Sequence, residues 1–399
     1  MNIVIANTQE FNPQIGGVER VSSTLAREFE KLGHSVYFVA QKKSPYSQSY
    51  EPVVEQVLLP NDTIADCEDN VCCFTNFVAN KKIDILMNQA GNILDFSLLC
   101  TKVKEQTKVR LISMVHTAPA FVIKVFNDRS PSYIKSRSTF TIKIRSFIKR
   151  IILMKLISIK REVSKLYRVV YQQSDFTVLL SEYYQPVFQK ITGLKDISKL
   201  GTIVNPLSFV SEVQSVKYQK KKQLLYVGRL DYGNKRPDRL LKIWSFIYDK
   251  FPEWNLKFVG DGSLKPEMEE LTRQLNLENV RFEGFTNPID AYRESSIFCM
   301  TSTNEGLPMV LLEAMQFGAV PVAFNSFESI YDLIDDGVNG YIVNPFDLKL
   351  YAQCLETLIM DENRRMIMSQ NARNSVIEKF DKNLISQKWI SLFEEIIKN

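Results

Sequence analysis

Histidine is scarce in this chain: His34 and His116 are the only two in 399 residues. No Asp-x-Asp occurs anywhere, which removes a common carboxylate holder for a divalent ion, so no metal is expected. The six cysteines (Cys67, Cys72, Cys73, Cys100, Cys299 and Cys354) share no repeated spacing. The adjacent Cys72–Cys73 pair suits neither a disulfide nor a zinc site, and a reducing compartment is expected. No run approaches the ~18 uncharged apolar residues of a membrane-spanning helix. The N-terminus, Met-Asn-Ile-Val-Ile-Ala-Asn, reads as a strand and not as a signal peptide. A cytoplasmic protein is expected. No Gly-x-Gly-x-x-Gly follows the first strand, which disfavours a dinucleotide oxidoreductase. Short-period repeats and low-complexity tracts are also lacking.

What is present is length, alternation and uneven charge. A chain of 399 residues is long enough for two or three domains, each with its own core. Residues 1–210 carry 27 Lys+Arg against 18 Asp+Glu, whereas the remainder carries 23 against 27. The N-terminal half is thus basic and suits an anionic membrane or a phosphorylated partner; no nucleic-acid partner is expected. Residues 2–6 predict a strand, 18–32 a helix ended by Gly33, and 35–40 the next strand. Further strands are predicted at 83–88, 111–116 and 176–180. A second series follows at 224–227, 256–259, 280–283, 297–300, 320–323 and 340–343. The polar segment 211–222 reads as a linker or exposed loop. Two α/β halves with doubly wound parallel sheets are therefore predicted, 1–205 and 206–383, and the amphipathic helix near 384–399 packs on either one.

The segment with the most chemistry is 301–314, Thr-Ser-Thr-Asn-Glu-Gly-Leu-Pro-Met-Val-Leu-Leu-Glu-Ala. A strand leads into a loop with Gly306 and Pro308, and a helix begins near Met309. Backbone N–H groups at a helix start suit a pyrophosphate. Glu305 before the helix and Glu313 inside it can accept hydrogen bonds from hydroxyls on either side of a diphosphate. Separately, Leu224 to Leu230 forms a strand ending in Gly228, followed by Arg229 and Lys235. Two cations at the carboxyl end of a strand would neutralise a diphosphate leaving group. Strands also end at Gly260-Asp261-Gly262 and at Glu283-Gly284-Phe285. Four such ends on one sheet edge outweigh the plainer reading of surface loops. Gly16-Gly17 at the start of the first helix makes a generic phosphate cradle or a plain tight turn.

Together these segments resemble glycosyltransferase family four, whose members are retaining enzymes of the GT-B fold. The Glu-x7-Glu spacing with its flanking Gly-Leu-Pro carries most of that resemblance, which is densest over 224–345. It implies two Rossmann-like domains facing a central cleft, with Asn205-Pro206 at the hinge. It further implies that Arg229 and Lys235 hold the donor diphosphate, Glu313 the ribose and Glu305 the donor sugar. Gly228, Gly260, Gly306, Leu307, Pro308, Met309 and Val310 would border the phosphates and sugar, and Gly284 and Phe285 the base. Gly16 and Gly17 resemble the family's glycine loop. His116, at the carboxyl end of its strand, can donate a hydrogen bond to a sugar hydroxyl or phosphate, and the resemblance raises it to a site residue. His34 is expected to be structural.

Residues 133–168 hold eleven Lys/Arg and one acid, Glu162. Ile144, Ile148, Ile151, Ile152, Leu156, Ile159, Val163, Leu166 and Val170 share one helical face, and most of the cations share the other. Such a helix over 133–170 suits an anionic membrane surface, on the inner face of the plasma membrane, or alternatively packs its apolar stripe on the N-terminal sheet. The expected function is transfer of a hexosyl or N-acetylhexosaminyl unit from a nucleotide sugar, UDP-linked by family frequency. The acceptor would be a hydroxyl of a lipid-linked saccharide in surface glycan synthesis, with no cofactor. A sugar-nucleotide epimerase and a non-catalytic nucleotide-sugar-binding scaffold are the alternatives. Two histidines argue against the first. Arg229, Lys235, Glu305 and Glu313 together argue against the second.

Overall fold

The structure is a computed structural model that describes residues 1–14, 16–44, 50–124, 142–209 and 219–398; for 142–153 it describes the backbone alone. The chain forms two compact units, Met1–Ser208 with Lys382–Asn399, and Phe209–Asp381.

In the first unit the strands are β1 (Asn2–Gln9), β2 (Ser35–Lys42), β3 (Gln56–Leu58), β4 (Ile85–Asn88), β5 (Arg110–Val115), β6 (Phe176–Leu179) and β7 (Leu200–Thr202). They pair in the order β3-β2-β1-β4-β5-β6-β7, all parallel. Ile3, Val4, Ile5 and Ala6 of β1 are all fully buried, as expected of a parallel strand covered on both faces. Helices α1 (Gly17–Lys31), α2 (Glu68–Lys81), α3 (Leu94–Gln106), α4 (Ile142–Gln173) and α5 (Gln185–Thr192) lie between the strands. On α1, Val21, Leu25 and Phe29 form the buried stripe, and Gly33 at φ +86° follows the helix.

The second unit has β8 (Lys221–Val227), β9 (Asn255–Val259), β10 (Val280–Phe282), β11 (Ser295–Met300), β12 (Val320–Phe324) and β13 (Tyr341–Val343). Their order is β10-β9-β8-β11-β12-β13, again all parallel. Helices α6 (Asp238–Trp244), α7 (Lys265–Gln274), α8 (Ile289–Glu294), α9 (Met309–Gln316), α10 (Ile330–Leu333), α11 (Leu348–Met360) and α12 (Glu362–Lys379) complete it. One core cluster joins Trp244, Trp254, Phe258, Phe324 and Tyr351. The order of winding reverses between β8 and β11, and ligands of open α/β sheets bind beyond the strand ends at such a reversal.

The last helix, α13 (Lys382–Lys398), belongs to the first unit. Phe393 meets Phe29 of α1 edge-on at 5.6 Å, and Lys382 pairs with the buried Glu28 at 2.9 Å. Burial pushes the Glu28 carboxyl up, but bonds to Lys31 and Lys382 outweigh it and leave the group below its ordinary value.

The basic segment divides. Residues 133–141 lie outside the described residues, as does most of the expected linker. Within α4, Val163, Tyr167, Val170 and Tyr171 are buried, and all but Val170 join a cluster with Val115, Leu179 and Phe188, so this part of the apolar stripe packs on the first unit's core; the side chains of Ile144, Ile148, Ile151 and Ile152 lie outside the description. Lys160, Arg161 and Lys165 are exposed, as are Met154 and Ile157. All six cysteines are free.

Candidate functional site

In the second unit, the ends of β10, β9, β8 and β11 are neighbours along one sheet edge, and backbone bonds continue past the strands. Gly228 N–H donates to the Val259 carbonyl at 3.0 Å, Leu230 N–H to Asp261 at 2.9 Å and Gly260 N–H to Gly284 at 2.8 Å. This approach leaves no room for a side chain. A Cβ on Gly260, which sits at φ +137°, would lie 2.0 Å from the Gly228 carbonyl oxygen. The three glycines that end these strands are therefore drawn together.

The loop after β8 is fastened to the loop after β11. Thr303 N–H donates to the Asn234 carbonyl at 2.7 Å, and the Asn234 amide to the Asn304 carbonyl at 3.2 Å. Thr301 Oγ1 donates to the Arg236 carbonyl at 2.9 Å. The Arg239 guanidinium reaches the Thr301 carbonyl at 3.3 Å while lying 3.9 Å over the Phe346 ring. Fastened in this way, the two loops bring Lys235 Nζ to 2.7 Å from Glu305 Oε1. The pair spans the reversal between β8 and β11. Its side chains are only 18% and 9% exposed, so solvent screens it less than a surface pair.

Beyond Glu305, the Ser329 hydroxyl holds the Gly306 carbonyl at 2.6 Å and the Ser326 hydroxyl holds that of Ser302 at 2.7 Å. Leu307, Pro308 and Met309 are buried, Val310 is half-buried, and Pro308 stands at the start of α9. Glu313 is fully buried within α9, and its Oε2 accepts the Tyr292 hydroxyl at 2.9 Å. The two carboxylates of the Glu-x7-Glu spacing thus meet different partners, a cation and a phenol. Arg229 is 73% exposed with its Nε 3.5 Å from Asp231, while its carbonyl takes the Tyr226 hydroxyl at 3.1 Å. Phe285 is 75% exposed.

Sequence reasoning did not single out Tyr292, Asn234 or Asn304. The Asn304 amide is buried, and both its side-chain atoms lack a partner among the described residues. Asn234 was findable, because it stands one residue before Lys235. Tyr292 lies on α8, and no spacing rule points to it.

In the first unit, Gly16 and Gly17 stand at the start of α1, but the helix end is not vacant. The Glu19 side chain folds back over Gly16 and takes the Asn7 amide at 3.3 Å. Burial raises the Glu19 carboxyl despite those bonds. His116 follows β5 and meets Gln89 Oε1 through Nε2. Which ring nitrogen carries the proton of the neutral ring sets which of them donates. Burial pushes the ring down to about 4, so it stays neutral near pH 7. The Gln89 amide Nε2 is buried without a partner among the described residues, and the sequence did not reveal it. His34 lies elsewhere, with Nδ1 3.2 Å from the N-terminal amine. Among the described residues no cluster of three His, Cys, Asp or Glu could hold a metal ion. None of the described helices is long and apolar enough to cross a membrane.

Residues 210–375 match the family described as Glycosyl transferases group 1. The chain is 31% identical over 204 residues to the GalNAc-alpha-(1->4)-GalNAc-alpha-(1->3)-diNAcBac-PP-undecaprenol alpha-1,4-N-acetyl-D-galactosaminyltransferase of Campylobacter jejuni, covering 50% of this chain and 56% of that protein. It is 26% identical over 380 residues to the amylovoran biosynthesis glycosyltransferase AmsD of Erwinia amylovora, covering 94% and 95%. Above 30% identity the similarity is partial: the chain spans 56–60% of the length of the first curated relatives it matches. Among solved structures, Anabaena HepE in complex with UDP and glucose superposes with a TM-score of 0.73 at 17% identity, covering 98% and 99%. The two Rossmann-like α/β units are those of the GT-B fold, and this chain shares with its relatives a glycosyltransferase domain.

Two predictions follow from the geometry. Gly260→Ala forces a backbone clash at positive φ and is expected to destabilise the protein by about 2–3 kcal/mol. Gly284→Ala, where a Cβ meets nothing within 4 Å, carries only the dihedral cost of about 1–2 kcal/mol. Urea midpoints compare them, and equal losses would contradict the close-approach argument. For His116, the folded ring resists protonation, so its contribution to stability is complete above about pH 6.5 and is lost as pH falls toward about 4. NMR should show one of the two histidine rings titrating near 4, with His116→Ala removing that signal. A midpoint near 6.5 for His116 would refute it.

Proposed function

We propose that this chain is a retaining glycosyltransferase of family four that moves a hexosyl or N-acetylhexosaminyl unit from a UDP-sugar to an acceptor hydroxyl. The observation that carries the proposal is the Lys235–Glu305 pair at the winding reversal, beside the contacting strand ends at Gly228, Gly260 and Gly284. In this reading Lys235, Arg229 and the start of α9 hold the diphosphate. Charge accumulates on the leaving β-phosphate as the glycosidic bond breaks, and a fixed cation stabilises it there more than in the ground state. Glu305, held beside an ammonium, takes hydroxyl hydrogen bonds from the donor sugar. Glu313, seated against Tyr292, takes those of the ribose. In the first unit, which in this reading receives the acceptor, His116 offers a neutral ring. In this reading Lys235 and Arg229 supply the positive charge that a divalent ion would otherwise bring, and neither metal nor cofactor is expected.

The relatives' names support a role in surface glycan biosynthesis. The Campylobacter relative is named for an undecaprenol diphosphate-linked saccharide. On that support we assign this chain a lipid-linked saccharide acceptor. A lipid-linked acceptor requires a place at the membrane. Exposed Met154 and Ile157, followed along α4 by exposed Lys160, Arg161 and Lys165, support a peripheral contact with the inner face of the plasma membrane from a cytoplasmic protein.

Release of UDP from a panel of UDP-sugars tests the donor reading. Lys235→Ala and Glu305→Ala are each expected to lower turnover roughly 100-fold or more, and EDTA to leave it unchanged. Full activity in both variants would exclude the site. For the membrane contact, the protein should sediment with vesicles containing anionic lipid and not with neutral ones. Substituting Lys160, Arg161 and Lys165 by Ala should abolish this. Equal sedimentation with both vesicle types removes the reading.

A further inference from the structure

The Lys235–Glu305 pair raises a question of selectivity that the transfer reaction alone does not answer. A cationic diphosphate site has an inherent fault. The nucleoside diphosphate left after transfer ends in a free β-phosphate, which carries more negative charge than the sugar-esterified β-phosphate of the donor. A bare lysine would therefore bind the product more tightly than the substrate. Here the lysine is not bare: Glu305 Oε1 lies 2.7 Å from Lys235 Nζ, and both groups are largely withdrawn from water.

The carboxylate cannot easily withdraw when the ligand changes. Its loop is fixed by the Thr303–Asn234 and Asn234–Asn304 bonds on one side and by the Ser329–Gly306 bond on the other. A free terminal phosphate would compete with Glu305 for Lys235 and be repelled by the carboxylate. A donor sugar brings hydroxyls, which donate to that same carboxylate. We propose that Glu305 is the residue by which this site favours an intact nucleotide sugar over the free nucleoside diphosphate, limiting product inhibition. This rests on the proposed donor site, with the diphosphate against Lys235 and the sugar against Glu305.

The test is calorimetric titration of the full chain with UDP, GDP and ADP and with the glucose conjugate of each, followed by the same titrations of Glu305→Gln and Glu305→Asp on the nucleotide that wild type binds. Glu305→Gln removes the charge and should bind the free diphosphate roughly tenfold more tightly, and the sugar conjugate at least roughly threefold more weakly. Glu305→Asp retracts the carboxylate by one methylene and should shift both affinities in the same directions by less. If one variant fails to fold, by circular dichroism, the other decides. A variant in which both affinities fall together, or in which diphosphate affinity is unchanged, overturns the proposal and leaves the donor site standing. Wild-type protein that binds none of the six compounds overturns the nucleotide-sugar reading itself, and this proposal with it.

Discussion

A lysine and a glutamate seventy residues apart in sequence share a proton donor and an acceptor at 2.7 Å, and much of the second unit is arranged so that they can. Each follows a different strand, and the two strands are neighbours only because the sheet winds outward in both directions from β8 and β11. That arrangement is not enough by itself, since long side chains on free loops would spend their time in water. The loops are fastened by backbone and hydroxyl bonds through Thr301, Thr303 and Asn234, which reduces the entropy lost when the ions meet. Gly260 serves the same end by letting two strands continue side by side where a side chain would run into the Gly228 carbonyl. Removal of one ion would leave the other poorly solvated, which is why such pairs tend to act as a unit.

Much of this was readable from the residues. Continuous apolar runs such as Ile3–Ala6 mark strands buried on both faces, and their alternation with helical stripes marks a parallel sheet. The idea that ligands gather at carboxyl strand ends pointed to Gly228, Arg229 and Lys235, and the helix start after Glu305, together with the resemblance, pointed to that carboxylate. What stayed hidden depends on rotamer and burial, which spacing does not encode. Glu313 and Tyr292 meet through the fold of α8 against α9. Arg229 stands two residues after a largely buried strand yet is mostly exposed. Glu19 lies over the helix end that Gly16 and Gly17 seemed to offer to a phosphate. The three-residue strands β3 and β7 escaped notice, whereas the equally short β10 and β13 did not.

The basic helix α4 shows how one pattern serves two masters. Its apolar stripe was legible, but the aromatic residues Tyr167 and Tyr171, which do much of the packing, sit where a purely aliphatic count overlooks them. Meanwhile Ile157, an apolar residue on the cationic side, looks like an imperfection in an amphipathic wheel. In the structure it is exposed beside Met154, so the side that faces away from the core is itself mixed, part apolar and part basic.

The return of α13 to the first unit has a consequence for how the protein comes into being. The polypeptide leaves the first unit after Ser208 and rejoins it at Lys382, so 173 residues of the second unit are translated between the two. At about 5–20 residues per second, the nascent first unit waits on the order of ten to thirty seconds before Trp389 and Phe393 emerge to seal the α1 surface around Phe29. During that interval the later-made body has all of its own strands and can mature first. The order of birth is thus reversed with respect to the order of completion.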